Sequence, residues 1–488
     1  MDSSKTKLLV VVTGLLGMVG CTVGPDYEPP TLEMPAAWTR LEEGLVPSED
    51  VLKNWWTLLD DPVLEGLIEQ ALDNNLTLQE SYLRIQESRA LRDAVAGDRY
   101  PSVWASGSYT RSRQSRNLPF ATEGSDREHG VYSSGIDAFW ELDLFGGIRR
   151  SVESAQASLE ATIEADRAVQ VSLCAEVAAA YVELRTSQLQ LRYALQNLQA
   201  QEGMLQLTYS RFEAGLAPEL DVAQARQNLA NTEAEIPLLQ LAEQQSKHRL
   251  AVLLGRFPRD FEVGAARPDL IPIPAEGGLP PVVPADLLRR RPDIRQAERL
   301  LAAQSARIGV AEAQLYPSLS LSGVFGLSSE YFSDLGRWSS RTFSLGPSID
   351  WNLFAGGRLR RLVEAETARA EQLRKAYEQT VLTAAEEVEN AIAAYRQEQI
   401  RLLALRRSVQ AAEDAVRLVE TLYRSGLTDF QNVLDAQRTL YSQQDYLAVS
   451  EGTVVLDLIR IYKALGGGWD AAQTEEQISP SISEEKQS

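Results

Sequence analysis

The sequence predicts a mixed α and β fold: mainly long coiled-coil helices, with four strands contributed by each chain. Three observations carry this. One unit is written twice along the 488 residues, its helical segments repeat apolar residues every seven positions, and paired runs between them alternate apolar with small polar residues. A seven-residue period sustained over many turns imposes left-handed supercoiling, whereas alternation with period two is the pattern of a strand with unlike faces.

The duplication comes first because it orders everything else. Trp140 in WELDLFGGIRRSVE matches Trp351 in WNLFAGGRLRRLVE at a shift of 211 residues. The same shift carries Glu176-Val177 onto Glu387-Val388, Gly215-Leu216 onto Gly426-Leu427 and Leu254-Gly255 onto Leu465-Gly466. Tyr100-Pro101-Ser102 matches Tyr316-Pro317-Ser318 at a shift of 216, so a loop that tolerates a length change lies between the two landmarks. Residues 62–255 and 293–466 are therefore read as two structural repeats, each a helix, two strands, a long helix and a further helix.

The N-terminus reads as a processing signal. Lys5 and Lys7 precede a short apolar core from Leu8 to Met18, and Gly20 then precedes Cys21. A secretory signal over 1–20 ending in a small residue and cysteine is similar to a bacterial lipobox, which makes Cys21 the expected lipid anchor. The alternative is an ordinary signal peptide with an incidental cysteine. Residues 21–61, Pro-rich from Gly24 to Pro47, are expected to run extended. Asp61-Pro62 supplies an N-cap and a first-turn proline for a helix running toward Ala96.

Each first helix ends at a Tyr-Pro pair, because the residue before proline is pushed out of helical geometry. Pro101 and Pro317 thus mark the bend into strands, and the glycine pairs Gly146-Gly147 and Gly356-Gly357 the bend back into helix. Val103 to Thr110 and Val131 to Leu142 alternate imperfectly. In the second copy Leu319, Leu321, Gly323, Phe325 and Leu327 alternate with Ser318, Ser320, Ser322, Val324 and Gly326, and Phe343, Leu345, Ile349 and Trp351 with Thr342, Ser344, Ser348, Asp350 and Asn352. That is the pattern of a membrane barrel strand, and equally of a soluble strand with one wet face.

The following helices are long. Arg149 to Ala214 holds no proline and would extend about 100 Å. Val177, Leu184, Leu191, Leu198, Leu205 and Phe212 fall every seven residues, and Val388, Tyr395, Leu402, Val409, Val416 and Tyr423 repeat them. Val433, Leu440, Leu447, Val454 and Ile461 continue the rule, and only Glu243 interrupts it between Val222 and Leu250. A Pro-rich connector over 256–292 joins the copies, and residues 467–488 read as an acidic, disordered tail.

Composition excludes several functions. A formal charge of −20 argues against nucleic acid, which needs a basic face. Only His129, in an expected loop, and His248, on a heptad helix, are present, with no phosphate loop, nucleophile elbow or metal-spaced cluster. No enzyme is expected, and no cofactor beyond a covalent lipid on Cys21. Four strands cannot close a membrane barrel, since about eight is the practical minimum, and open edges are not tolerated in lipid. Three chains would supply twelve. Trp104, Tyr109, Trp140, Trp338 and Trp351 would then serve as interfacial anchors, or else as sheet packing.

CTVGPDYEPP at Cys21, NWWTLLDDPVLEGLIEQAL at Asn54, RRRPDIRQAE at Arg289 and VLDAQRTL at Val433, with the paired YPS, LFGG or LFAGG and GL turns, carry a resemblance. The chain resembles the TolC family of outer-membrane factors, in its lipoprotein branch, from Cys21 to Gly466. The resemblance implies a homotrimer with a 12-stranded outer-membrane β-barrel and a periplasmic α-barrel. It also implies a periplasmic adaptor protein and an inner-membrane pump as partners, outer-membrane lipid around the strands, and an export conduit gated at its periplasmic tip and opened by adaptor docking. On it, Gly215, Leu216, Gly426 and Leu427 are the adaptor-facing tips, and Asp221, Tyr423, Arg424, Asp429 and Asp435 the gate candidates. Asn432 and Thr428 depart from residues found in some relatives. The rival reading is a periplasmic coiled-coil lipoprotein acting as scaffold or adaptor, which would have no reason to keep the duplicated strand pair.

Overall fold

The computed structural model describes residues 22–31, 49–113, 115, 128–263, 271–272 and 285–469. Cys21 lies outside the described residues. The helices are α1 Glu49–Lys53, α2 Pro62–Asn74, α3 Leu76–Gly97, α4 Gly147–Glu213, α5 Glu219–Leu253, α6 Pro292–Ala313, α7 Arg358–Arg424 and α8 Phe430–Ala464. The strands are β1 Ser102–Arg113, β2 Glu128–Leu142, β3 Ser318–Ser329 and β4 Arg341–Asp350. His129 falls within β2 rather than in a loop, its Nε2 2.9 Å from the Ser112 hydroxyl of the paired strand.

The described residues divide into two compact units that cut across the sequence repeats: those within 22–31, 84–163 and 296–378 form one, and those within 49–83, 164–295 and 379–469 the other. The first holds the sheet, antiparallel throughout in the order β1-β2-β3-β4. The hairpin registers, Ser102 opposite Phe139 and Ser318 opposite Asp350, obey the repeat shifts. Trp140 donates its indole N–H to the Arg99 carbonyl (3.0 Å) and Trp351 does the same to Leu315 (3.1 Å), so each strand–helix bend is pinned by one bond in both copies.

Gly146 and Gly357 both take φ of +82°, and Gly356 +58°, a region open to glycine at no steric cost. Gly147 is the first residue of α4, whose free N–H groups at Ile148 and Arg149 are met by the Asp143 carboxylate at 3.1 and 2.8 Å. The glycine bends therefore act through Gly146, Gly356 and Gly357, with Asp143 as the cap.

In the second unit many heptad residues lie in the core: Val177, Leu184, Val388, Tyr395, Val433, Val454 and Ile461 are buried, whereas Phe212, at the end of α4, is exposed. Glu243, the charged interruption, accepts from Gln188 (3.0 Å) and sits 3.1 Å from Lys247, so its charge is matched where the stripe needed an apolar residue. The helix expected to run unbroken from Pro62 is divided at Asn75. Its side chain accepts from Leu78 N (3.0 Å) and donates to the Leu253 carbonyl (2.8 Å). Asparagine does better capping a new helix than within one, and here it also stitches the start of α3 to the end of α5. Arg291 does the equivalent in the second copy, donating to the Ala464 carbonyl at 2.7 Å.

Two further expectations are corrected. The segment 21–61 is not extended to its end: α1 and a 3-10 turn over Trp55–Leu59 bury Leu52, Trp55, Trp56 and Leu59, with Trp55 stacked on Tyr462 at 5.6 Å. Nor does the tail begin at 467. Gly468 N–H bonds to the Leu52 carbonyl, and Trp469 is buried beneath the guanidinium groups of Arg167 (4.5 Å) and Arg295 (5.6 Å). An indole is too large an apolar surface to leave in water, and two cations over its face add to the gain.

Candidate functional site at the two helix turns

Both long helices end in the same backbone motif. Leu216 N–H bonds to the Arg211 carbonyl and Gly215 N–H to Phe212; Leu427 bonds to Leu422 and Gly426 to Tyr423, all at 2.8–3.0 Å. Gly215 and Gly426 take φ of +72° and +75°. This is the Schellman pattern, in which a left-handed residue lets the chain reverse while the last carbonyls stay bonded. The reversal leaves Leu216 and Leu427, two apolar side chains, 67% and 74% exposed among the described residues.

Beneath the turns Met204, Ala225, Tyr423, Phe430, Val433 and Leu434 form a buried cluster, with the Tyr423 and Phe430 rings 5.4 Å apart. Arg211 ties the two turns together. Its Nη1 donates to the carbonyls of Tyr423 (2.9 Å) and Arg424 (3.1 Å), and its guanidinium lies 4.9 Å over the Tyr423 ring. A cation at the carboxyl end of α7 satisfies free carbonyls and opposes the negative end of the helix dipole. Among the described residues, two polar atoms here have no hydrogen-bond partner, the Tyr423 hydroxyl and Arg211 Nε, each costing about 1–3 kcal/mol if left dry.

The gate candidates separate into those the fold gathers and those it does not. Burial, then the like charge of Asp429, pushes the Asp221 carboxyl above the usual aspartate range, with Arg211 opposing both. Asp429 occupies the N-cap position of α8 without a side-chain capping bond. Tyr423 is a core residue, 3% exposed. Arg424 points to solvent, 3.8 Å from Glu420 of its own helix. Asp435 is exposed and accepts from Gln431 at 2.9 Å. Arg211, Tyr423, Asp221 and Asp429 thus make one site, with Arg424 and Asp435 on its flanks. Arg211 was not among the sequence-based candidates; the available signal was an arginine four residues before a tip glycine in one repeat, where the other has Leu422.

Known proteins resemble the chain over most of its length. The family model for outer membrane efflux proteins matches residues 67–256 and 283–467. Nodulation protein T of Rhizobium leguminosarum bv. trifolii is 34% identical over 459 residues, covering 92% of this chain and 95% of the relative. The toluene efflux pump outer membrane protein TtgC of Pseudomonas putida is 32% identical over 483 residues, covering 98% and 99%. Among solved structures, the outer-membrane channel OprN superposes with a TM-score of 0.85 at 40% identity, over 92% of this chain and all of that one.

Proposed function

We infer this protein's role from its family: the chain belongs to the outer membrane efflux proteins, and it is a bacterial outer-membrane efflux channel rather than an enzyme. We propose that three copies form the channel, that Cys21 carries the lipid anchor, and that a periplasmic adaptor and an inner-membrane pump complete the path. The relatives are named for toluene, antibiotic and cation efflux at 32%, 32% and 30% identity, so cargo does not follow overall similarity in this set. Cargo selection is assigned to the pump.

The observation that carries the gating part is the pair of matched turns, each presenting one uncovered leucine and fastened by Arg211. The adaptor covers Leu216 and Leu427; the closed tip is held by Arg211 against the Asp221–Asp429 repulsion. The double variant Leu216→Glu with Leu427→Glu should lower adaptor binding at least about tenfold, because each exchange loses apolar burial and desolvates a charge. The trimer should persist on mild gels. Unchanged pull-down of the adaptor would remove the turns from the docking surface.

Asp221 adds a pH dependence whose sign is fixed by its raised pKa. Between the ordinary aspartate value and the raised one, the closed tip holds a proton that a released tip has lost. Closure is therefore favoured as pH falls through the raised value toward the ordinary one, and gains nothing below both. Bilayer conductance should decline over that acid window, and Asp221→Asn should flatten the curve. A dependence that survives the substitution would assign the effect to another group.

A further inference from the structure

We propose that the open edges of the sheet join between copies in a register the chain itself specifies, with Ser348 of β4 in one copy opposite Ser108 of β1 in the next. This rests on the trimeric reading and adds its residue-level seam. Among the described residues β1 pairs only with β2, and β4 only with β3.

The duplication supplies the ruler. Advancing β1 by 216 and β2 by 211 turns the pairing of Ser102 with Phe139 into that of Ser318 with Asp350, which is the register the second hairpin has. The two indole bonds at the strand–helix bends obey the same pair of shifts. β2 and β3 join the repeats, with Asp137 opposite Val324 and Ala138 opposite Gly323. Moving β2 forward by 211 onto β4, and β3 back by 216 onto β1, places Ser348 opposite Ser108 and Ile349 opposite Gly107.

The same shifts keep the faces of the sheet continuous across the seam. A slip of one residue would send every side chain to the wrong side of the sheet. In the chain, Ala105, Ile136, Phe325 and Phe343 share one face through successive pairings. The proposed seam continues it, setting Ile349 beside Gly107, while Ser348 and Ser108 meet on the small polar face. Pro347 falls opposite Tyr109 and removes one ladder donor without changing the register.

Disulfide trapping in the full-length trimer tests the seam. Directly opposed Cβ atoms lie about 4.5–5.5 Å apart and diagonal ones about 7–8 Å, against the roughly 3.5–4.5 Å a disulfide spans. Cys174 is fully buried and does not compete. Under mild oxidant, Ser108→Cys with Ser348→Cys should give covalent dimers and trimers about tenfold more than the offset pair Ser106→Cys with Ser348→Cys. Gly107→Cys with Ile349→Cys covers the alternation between close and wide pairs in an antiparallel ladder. A trimer on mild gels that cross-links best through the offset pair, or through neither matched pair, overturns the register. A chain that forms no trimer overturns the trimeric reading itself.

Discussion

Arg211→Ala should open the resting tip and raise channel conductance. The side chain contributes two charge-assisted hydrogen bonds to the end of α7 and one contact with the Tyr423 ring, and Asp221 and Asp429 face each other without its offset once it is gone. Allowing for its partial exposure, the loss is about 2–3 kcal/mol per chain, which shifts a closing equilibrium roughly 30- to 150-fold. Arg211→Lys separates charge from geometry. A point charge keeps the electrostatic offset but cannot reach both carbonyls while stacking, so its conductance should fall between those of the parent and the alanine variant. Planar-bilayer recordings decide this, and an alanine variant with parental conductance in an intact trimer would sink the latch.

Gly24→Val should release the segment from Thr22 to Thr31 from its unit. Gly24 takes φ of +89°, and a Cβ there would stand 2.3 Å from the Gly309 Cα and 2.9 Å from its nitrogen. Both obstacles are backbone, so no rotamer change relieves them. From the other side, a Cβ on Gly309 would meet the Val23 carbonyl at 2.9 Å. Arg150, 4% exposed, closes the arrangement with bonds to the carbonyls of Val23 and Gly24, at 3.1 Å each, and to Asp26 at 2.8 Å. Strain plus clash should cost more than about 3 kcal/mol, enough to reduce amide protection of this segment at least about 100-fold while the helices keep theirs. Arg150→Ala, which removes bonds but adds no clash, should show the same change at smaller size. Hydrogen exchange resolved to residues 22–31 measures both, and protection retained in the valine variant would show that the contact can yield. The segment begins one residue after the proposed lipid site, so its release would uncouple anchor from sheet.

Much of this was written locally. Tyr-Pro and Gly-Gly bends, the Schellman turns at Gly215 and Gly426, and the heptads through Val177 and Val388 follow from steric rules acting within a few residues. What escaped the sequence were contacts whose partners are hundreds of positions apart or depend on one side chain's reach. Asn75 breaks a helix because the Leu253 carbonyl waits there. Trp469 is buried where Arg167 and Arg295 lie over its ring. Arg211 bonds across the two turns only because α7 ends beside it.

The sequence by itself determined the order of helices and strands within each copy and the two-fold repetition, because side-chain period and backbone sterics are properties of short stretches of chain. Only the tertiary structure decided that the compact units cut across the repeats and that Arg211 joins the two tips. Those outcomes depend on which faces meet, and an amphipathic helix specifies that it must be covered without specifying by what.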